Sequence, residues 1–255
     1  MRALKLLLVL ALTALAAACG DNDSAPELAP DPQALLTEGI SQLQAATSFK
    51  YEIDVSGYPV AVPIEGLDLP DDTAVTFKYA SGVFQVPDRL SARIQFRVGV
   101  LSMTADLVAL RDQQFFRGEL LTGSRWLQAR FIPGFLPSSL LAEPGGIPHT
   151  LSTSSGLTLV GRQDLDGLSA YQLRGRVEAG RVFSLTLGLS RATTGLLDID
   201  VFVGTQNGHV ARIVLVEPPP DWAADAEPTT WQISLSDYSA PVNISAPTMD
   251  GGGAS

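Results

Sequence analysis

Arg93-Ile94-Gln95-Phe96-Arg97-Val98, RIQFRV, alternates strictly between polar and apolar side chains. A period of two puts Ile94, Phe96 and Val98 on one face of an extended strand and the charged residues on the other. The same alternation spreads outward from this stretch. In YQLRGRVE, Tyr171, Leu173 and Val177 oppose Gln172, Arg174 and Arg176. In WQISLSD, Trp231, Ile233 and Leu235 oppose Gln232, Ser234 and Ser236. FSLTLGLS reads the same way, with Phe183, Leu185, Leu187 and Leu189 on one side. Further strands are expected over 50–56, 74–86, 101–110, 114–118, 126–130, 157–163, 196–204 and 210–217. Asp166-Gly167, Ala179-Gly180 and Asn207-Gly208 read as short turns, which join antiparallel neighbours.

The pattern predicts an α+β fold: one large antiparallel sheet of about ten strands, with a solvated and an apolar face. A sheet that wide curls, and its hollow face must be covered. Helix is scarce. Asp31-Pro32 starts one with a capping carboxylate and a proline at the first helical position. Leu35, Leu36, Ile40, Leu43 and Ala46 then recur at helical spacing. The broken stretch from Pro133 to Leu151 supplies the remainder.

So little helix underfills the trough of such a sheet at normal packing density. Either the trough closes on itself or it holds something apolar. Two proline-rich segments, 57–72 and 133–151, carry many apolar residues and read either as movable covers or as plugs of the core. Ile94, Phe96, Val98, Leu185, Leu187, Ile233 and Leu235 are the expected wall residues, with Phe135 and Leu140 near the mouth. Plain core packing is the alternative for each of them.

The first eighteen residues carry Arg2 and Lys5, then an apolar run from Leu6 to Ala18 that ends in small residues. This is the pattern of a secretory signal over 1–18, since spanning a bilayer takes about 20 apolar residues. The chain's single cysteine, Cys19, follows directly, in ALAAACGD. That setting resembles a lipobox, in which the cysteine receives diacylglycerol and becomes the mature N-terminus. Leu15 stands one place further back than the usual leucine. Ordinary secretion is the alternative, and it would strand an odd thiol. Residues 19–30, acidic and proline-rich, read as a lipidated flexible tether. Residues 31–248 then make a single lipid-binding domain, and 249–255 a disordered tail.

The 255 residues include 17 basic and 27 acidic side chains, a net charge of −10. That balance argues against nucleic acid and against electrostatic attraction to anionic lipid. Residues for catalysis are missing. His149 and His209 lack zinc-ligand spacing, with His209 expected to be exposed in a hairpin turn. There is no Gly-x-Ser-x-Gly elbow and no phosphate-cradling loop. The paired acids, such as Asp198 and Asp200, fall at turns or on polar strand sides. No enzyme and no cofactor are implied.

Several stretches resemble the LppX/LprAFG family of bacterial envelope lipoproteins. LLTEGISQLQAATSFKYEIDVSG resembles the family's opening helix and strand. SRWLQAR and LVGRQDLDGLSAYQLRGRV resemble its middle, and ISLSDYSAPVNISAP (Ile233–Pro247) its end. The resemblance covers about residues 31–248, and the segment 57–72 departs most from it. It implies a curved half-barrel covered by helices, enclosing an apolar cavity for acylated lipid or glycolipid. It also implies carriage of lipid within the cell envelope; the Cys19 anchor would place the chain on the extracytoplasmic side of the cell membrane, where an envelope transporter is a candidate partner. A solid-cored anchored interaction module or scaffold is the alternative.

Overall fold

The computed structural model describes residues 29–62, 74–130, 132 and 134–249, without the side chains of 120 and 121. The expected signal peptide, Cys19, nearly all of the tether, most of the 57–72 cover and most of the tail lie outside the described residues. The chain divides between Pro30 and Asp31, and the elements of the fold all belong to the unit that begins at Asp31.

In chain order the elements are α1 (Pro32–Ala45), β1 (Ser48–Ser56), β2 (Val60–Ala61), β3 (Val75–Gln85), β4 (Arg89–Val98), β5 (Leu101–Leu110), β6 (Gln113–Arg117), α2 (Glu119–Thr122), β7 (Leu127–Gln128), α3 (Ile147–Ser152), β8 (Ser155–Leu165), β9 (Leu168–Glu178), α4 (Phe183–Thr186), β10 (Leu196–Gly204), β11 (Val210–Glu217) and β12 (Thr229–Ser236). Single 3-10 turns occupy Pro137–Leu140, Ala179–Arg181 and Asp221–Ala223.

The strands form one curved antiparallel sheet in the order β7-β6-β5-β4-β3-β1-β12-β11-β10-β9-β8, with β2 added beside β3. It is two meanders joined in the middle by the β1–β12 ladder. Tyr51 there faces Leu235, Ile53 faces Ile233 and Val55 faces Trp231. The alternation read from the sequence sets this register, because a slip of one residue would turn every apolar side chain outward. Asp166 and Gly167, both at positive φ, make the two-residue turn between β8 and β9. The polar sides pair among themselves on the outer face. Arg93 and Arg117 both hold Asp106, and Arg174 grips Asp200 through two nitrogens. Asp106 is partly buried, which pulls its pKa up, but the two guanidinium bonds outweigh that and hold it below the usual carboxylate range.

The topology puts β7 and β8 at opposite edges. The segment joining them, 129–154, therefore has to cross from edge to edge. It does so over the apolar face, where Phe135, Leu140, Ile147 and Leu151 enter the main core. Buried Gln114 pins this crossover to β6. Its amide donates to the Ile132 and Phe135 carbonyls at 2.9 and 3.1 Å, and its oxygen accepts from the Ile132 N–H at 2.9 Å.

Helix α1 begins as read, with Asp31 accepting from the Gln33 N–H at 3.2 Å. It lies across one end of the trough. Gly39 sits against Val210 and the Gly208 carbonyl, so close that a Cβ there would stand 2.9 Å from the Val210 methyl. Leu36 and Leu43 are fully buried, worth about 1.5–3 kcal/mol each.

FSLTLGLS departs from the sequence reading. It is the single turn α4 followed by Leu187 in the left-handed region at φ 52°, with Gly188 at φ 74°. The turn brings Leu185 and Leu187 inward as a strand would, so period two alone does not separate the two forms. His209 also differs from expectation. It is half-buried and stacks on Tyr238 with ring centres 4.3 Å apart.

At the end of the trough opposite α1, a buried carboxylate ties the cover to the sheet. Glu217 Oε1 accepts from the backbone N–H groups of Arg191 and Ala192 at 2.8 and 3.0 Å. Its Oε2 accepts from the Ser190 hydroxyl and the Trp231 indole, each at 3.2 Å. Arg191 lies beside the same carboxylate at 3.6 Å, donates to Thr229 Oγ1 and the Pro59 carbonyl, and rests on the Tyr58 ring.

Glu217→Ala strands these buried donors and is expected to cost roughly 3 kcal/mol, about 6–12 °C in Tm. Glu52→Ala on the outer face should change stability by less than about 0.5 kcal/mol. Gly82 faces Tyr51 across β1 and β3, and a Cβ on it would meet the Ser91 carbonyl at 2.1 Å. Gly82→Ala should therefore cost roughly 1–3 kcal/mol, read by thermal melting.

Candidate functional site

The trough face is built from alternate side chains of every long strand, with Leu157 and Leu159 of the edge strand β8 half-buried against it. Across it Phe77 pairs with Phe96, and Ile94 with Ala105. Leu215 pairs with Trp231, and Val201 with Ile213. The one phenol on the central ladder, Tyr51, is pushed by burial far above its usual pKa and stays neutral. Apart from Glu217 at one end, the face thus offers an apolar ligand a surface of apolar side chains.

Over this face lie α1, α3, α4 and the crossover. A cavity persists beneath them, lined by Val62, Phe77, Ile94, Phe96, Ile132, Leu187 and Leu189. All seven side chains are aliphatic or aromatic. The space open to the centre of a water-sized sphere is about 20 Å³, room for about one water molecule. Among the described residues, covering material is therefore more plentiful than the helix count suggests. The physical reason is α4 and the crossover, which together deliver Phe135, Leu140, Ile147, Leu151, Leu185 and Leu187 to the core. Taken as a strand, 183–189 counts as wall; folded as a turn, it is part of the cover.

Three of the expected wall residues, Ile94, Phe96 and Leu187, meet at the cavity. Val98 is half-buried at the end of β4 and packs against the core. Ile233 and Leu235 lie in the sheet's central ladder, opposite Ile53 and Tyr51. Leu185 is buried in α4. Phe135 and Leu140, expected near a mouth, are 2% and 4% exposed and sit within the packed cover.

Val62, Phe77, Ile132 and Leu189 also line the cavity, and none of them is among the expected wall residues. The sequence does carry a signal for them: Phe77 belongs to an expected strand, and Val62 and Ile132 are apolar residues in or beside the proline-rich segments.

Leu187 combines two features. Its side chain closes the cavity, and its backbone occupies a region that costs a leucine about 1 kcal/mol or more. It follows a helix of one turn, which has little stability of its own. The cover is thus weakest where it meets the cavity. His149 stands between Glu143 at 3.0 Å and Arg181 at 3.1 Å, joining the crossover to the turn before α4. Among the described residues, no three His, Cys, Asp or Glu side chains converge as metal ligands.

The fold recurs in solved structures. LprF from Mycobacterium bovis superposes with a TM-score of 0.63 at 17% identity, covering 86% of this chain and 98% of that one. LppX from Mycobacterium tuberculosis superposes with a TM-score of 0.54 at 18% identity, covering 84% and 100%. In sequence, the lipoarabinomannan carrier protein LprG of Mycolicibacterium smegmatis is 24% identical over 247 residues, 92% of this chain and 91% of that protein. The profile of the LppX_LprAFG lipoprotein family matches residues 31–244, and with most of the chain so matched, this protein belongs to that family.

Proposed function

We propose that this protein is a membrane-anchored lipoprotein that takes up acylated lipid or glycolipid between its sheet and its cover and carries it within the cell envelope. The observation that carries the reading is the cavity lined only by apolar side chains, lying under the strained Leu187 turn in a chain similar to a protein named as a lipoarabinomannan carrier. Cys19 would hold the chain to the extracytoplasmic side of the membrane, and two or more acyl chains there make such an anchor stable. An envelope transporter is a further partner consistent with that location.

Carriage needs no catalytic group. Each methylene held out of water is worth about 0.8 kcal/mol, so a bare acyl chain pays on the order of 10 kcal/mol to cross an aqueous gap. Membrane and cavity are both apolar, so exchange between them is near balance and reversible. A lipid chain needs far more room than one water molecule. Loading therefore requires the 183–189 turn to swing away, with its leucines replaced on the sheet by ligand methylenes. Wall contacts at Ile94, Phe96, Val98, Ile233 and Leu235 then pass from cover to ligand, with Leu185, Phe135 and Leu140 displaced beside them.

The small cavity is the one observation that favours a second reading, a solid-cored anchored module that docks an envelope protein. Organic extraction of the purified chain, followed by mass spectrometry, separates the two. The carrier reading expects about one acyl lipid per chain, either as isolated or after incubation with lipid. No acyl species even after lipid is offered would leave only the docking module. Leu187→Trp fills the cavity and is expected to cut bound lipid at least tenfold while costing about 1–3 kcal/mol of stability. The docking reading expects no lipid in either protein.

A further inference from the structure

The two ends of the trough differ. At the end covered by α1, the His209 and Tyr238 rings stack and the Tyr238 hydroxyl donates to the Val210 carbonyl at 2.7 Å. The other end is defined by the pairs Val75–Val98, Ser56–Thr230, Glu217–Thr229 and Leu196–Glu178. There lie Val62, Phe77 and Phe96 of the cavity wall.

Among the described residues, the four most exposed large apolar side chains all lie at this second end. Val100 is 87% and Leu101 59% exposed, at the tip of the β4–β5 hairpin. Trp222 is 81% exposed, on the turn between β11 and β12. Leu196 is 55% exposed, at the start of β10. Phe183, just beyond β9, adds a fifth at 46%. An apolar pair at a hairpin tip is unusual in a turn open to water. Trp222 is also held in place, edge-on to the Tyr58 ring at 5.8 Å, which Arg191 and Glu217 in turn secure.

We propose that this rim is a membrane-docking surface: Val100, Leu101, Trp222, Leu196 and Phe183 insert shallowly into a lipid bilayer around the cavity end. The inference deepens the carrier reading and rests on it for its meaning. Two observations select a bilayer as the occupant. The first is chain length. Eleven residues lie between Cys19 and Asp31, so the two are at most about 40 Å apart when the chain is extended. The strands of the trough, at about 10 residues, span roughly 33 Å. A chain anchored at Cys19 and entering at α1 can therefore turn the opposite end to the membrane. The second is chemistry. The net charge of −10 gives no general attraction to anionic headgroups. Contact must come from apolar side chains and from an indole, which favours the headgroup boundary.

The test uses the full chain reconstituted into phosphatidylcholine vesicles whose acyl chains carry bromine, a short-range quencher of indole emission. Trp222→Phe supplies the background from Trp126 and Trp231. Emission belonging to Trp222 is expected to fall at least twofold on the brominated vesicles, and to do so within a factor of two whether salt is low or high. The double variant Val100→Asp, Leu101→Asp is expected to lose at least fivefold of that quenching with an unchanged Tm, because both side chains already face water.

Trp222 emission that is indifferent to bromine, or quenching that persists in the double variant, would overturn the docking surface. A rim built for a protein partner would give that first result. Extraction of the same chain freed of vesicles, as isolated and after incubation with lipid, keeps the two proposals apart. A quenched wild type holding no lipid upholds docking and removes carriage. A lipid-loaded but unquenched wild type upholds carriage and removes docking.

Discussion

The β1–β12 ladder is the constraint on which the remaining structure depends. Strands near the two ends of the chain zip together in the middle of the sheet, through Tyr51–Leu235, Ile53–Ile233 and Val55–Trp231. Two local meanders thereby become one continuous surface. The consequence is topological. Once the ends of the domain meet in the centre, its middle, 129–154, has to bridge the outer edges. The cheapest place for that bridge is the hollow face, where its leucines, isoleucine and phenylalanine leave water.

This arrangement divides the labour between rigid and yielding parts. The sheet carries long ladders, interrupted by bulges such as those at Phe77–Tyr79 and Phe202–Val203, and a register that cannot slip without exposing its core. The cover is made of single turns and irregular chain, held by a few polar anchors. Gln114 grips the crossover, and Glu217 grips the 190–192 backbone and the Trp231 indole. Each anchor satisfies several backbone groups that would otherwise be orphaned under an apolar roof. Between the anchors, the α4 turn rests mainly on apolar contact, which a lipid chain can replace in kind. On the carrier reading, a cover of this design opens without breaking a strand. Family membership and the carrier reading meet at that point. A protein similar in sequence is named as a lipoarabinomannan carrier, and the apolar cavity of this chain lies beside the strained Leu187 turn. The same end carries the apolar rim. The ligand entrance and the membrane contact proposed above would thus share one end of the sheet, and α1 lies at the other.

Much of this architecture was legible in the residues. RIQFRV, YQLRGRVE and WQISLSD announced strands because period two has one geometric meaning when it continues over many residues beside turn signals. Leu196–Gly204 and Val210–Glu217 match their expected spans in full, and α1 begins where Asp31-Pro32 said it would. What misled was FSLTLGLS, eight residues whose alternation a one-turn helix and a left-handed Leu187 reproduce. A short apolar run holds too few periods to separate strand from turn.

The sequence by itself determined the sheet, its two faces and the helix at its start, because local periodicity and capping chemistry are properties of neighbouring residues. Only the tertiary structure decided which of the many inward apolar residues meet at the cavity, how α4 and the crossover cover them, and which end carries the exposed apolar rim. Those depend on contacts such as Glu217 with Arg191, or Gln114 with Ile132, and on the pairing of strands nearly two hundred residues apart. No pattern along the chain records distances of that kind; they arise when the ladder between β1 and β12 closes.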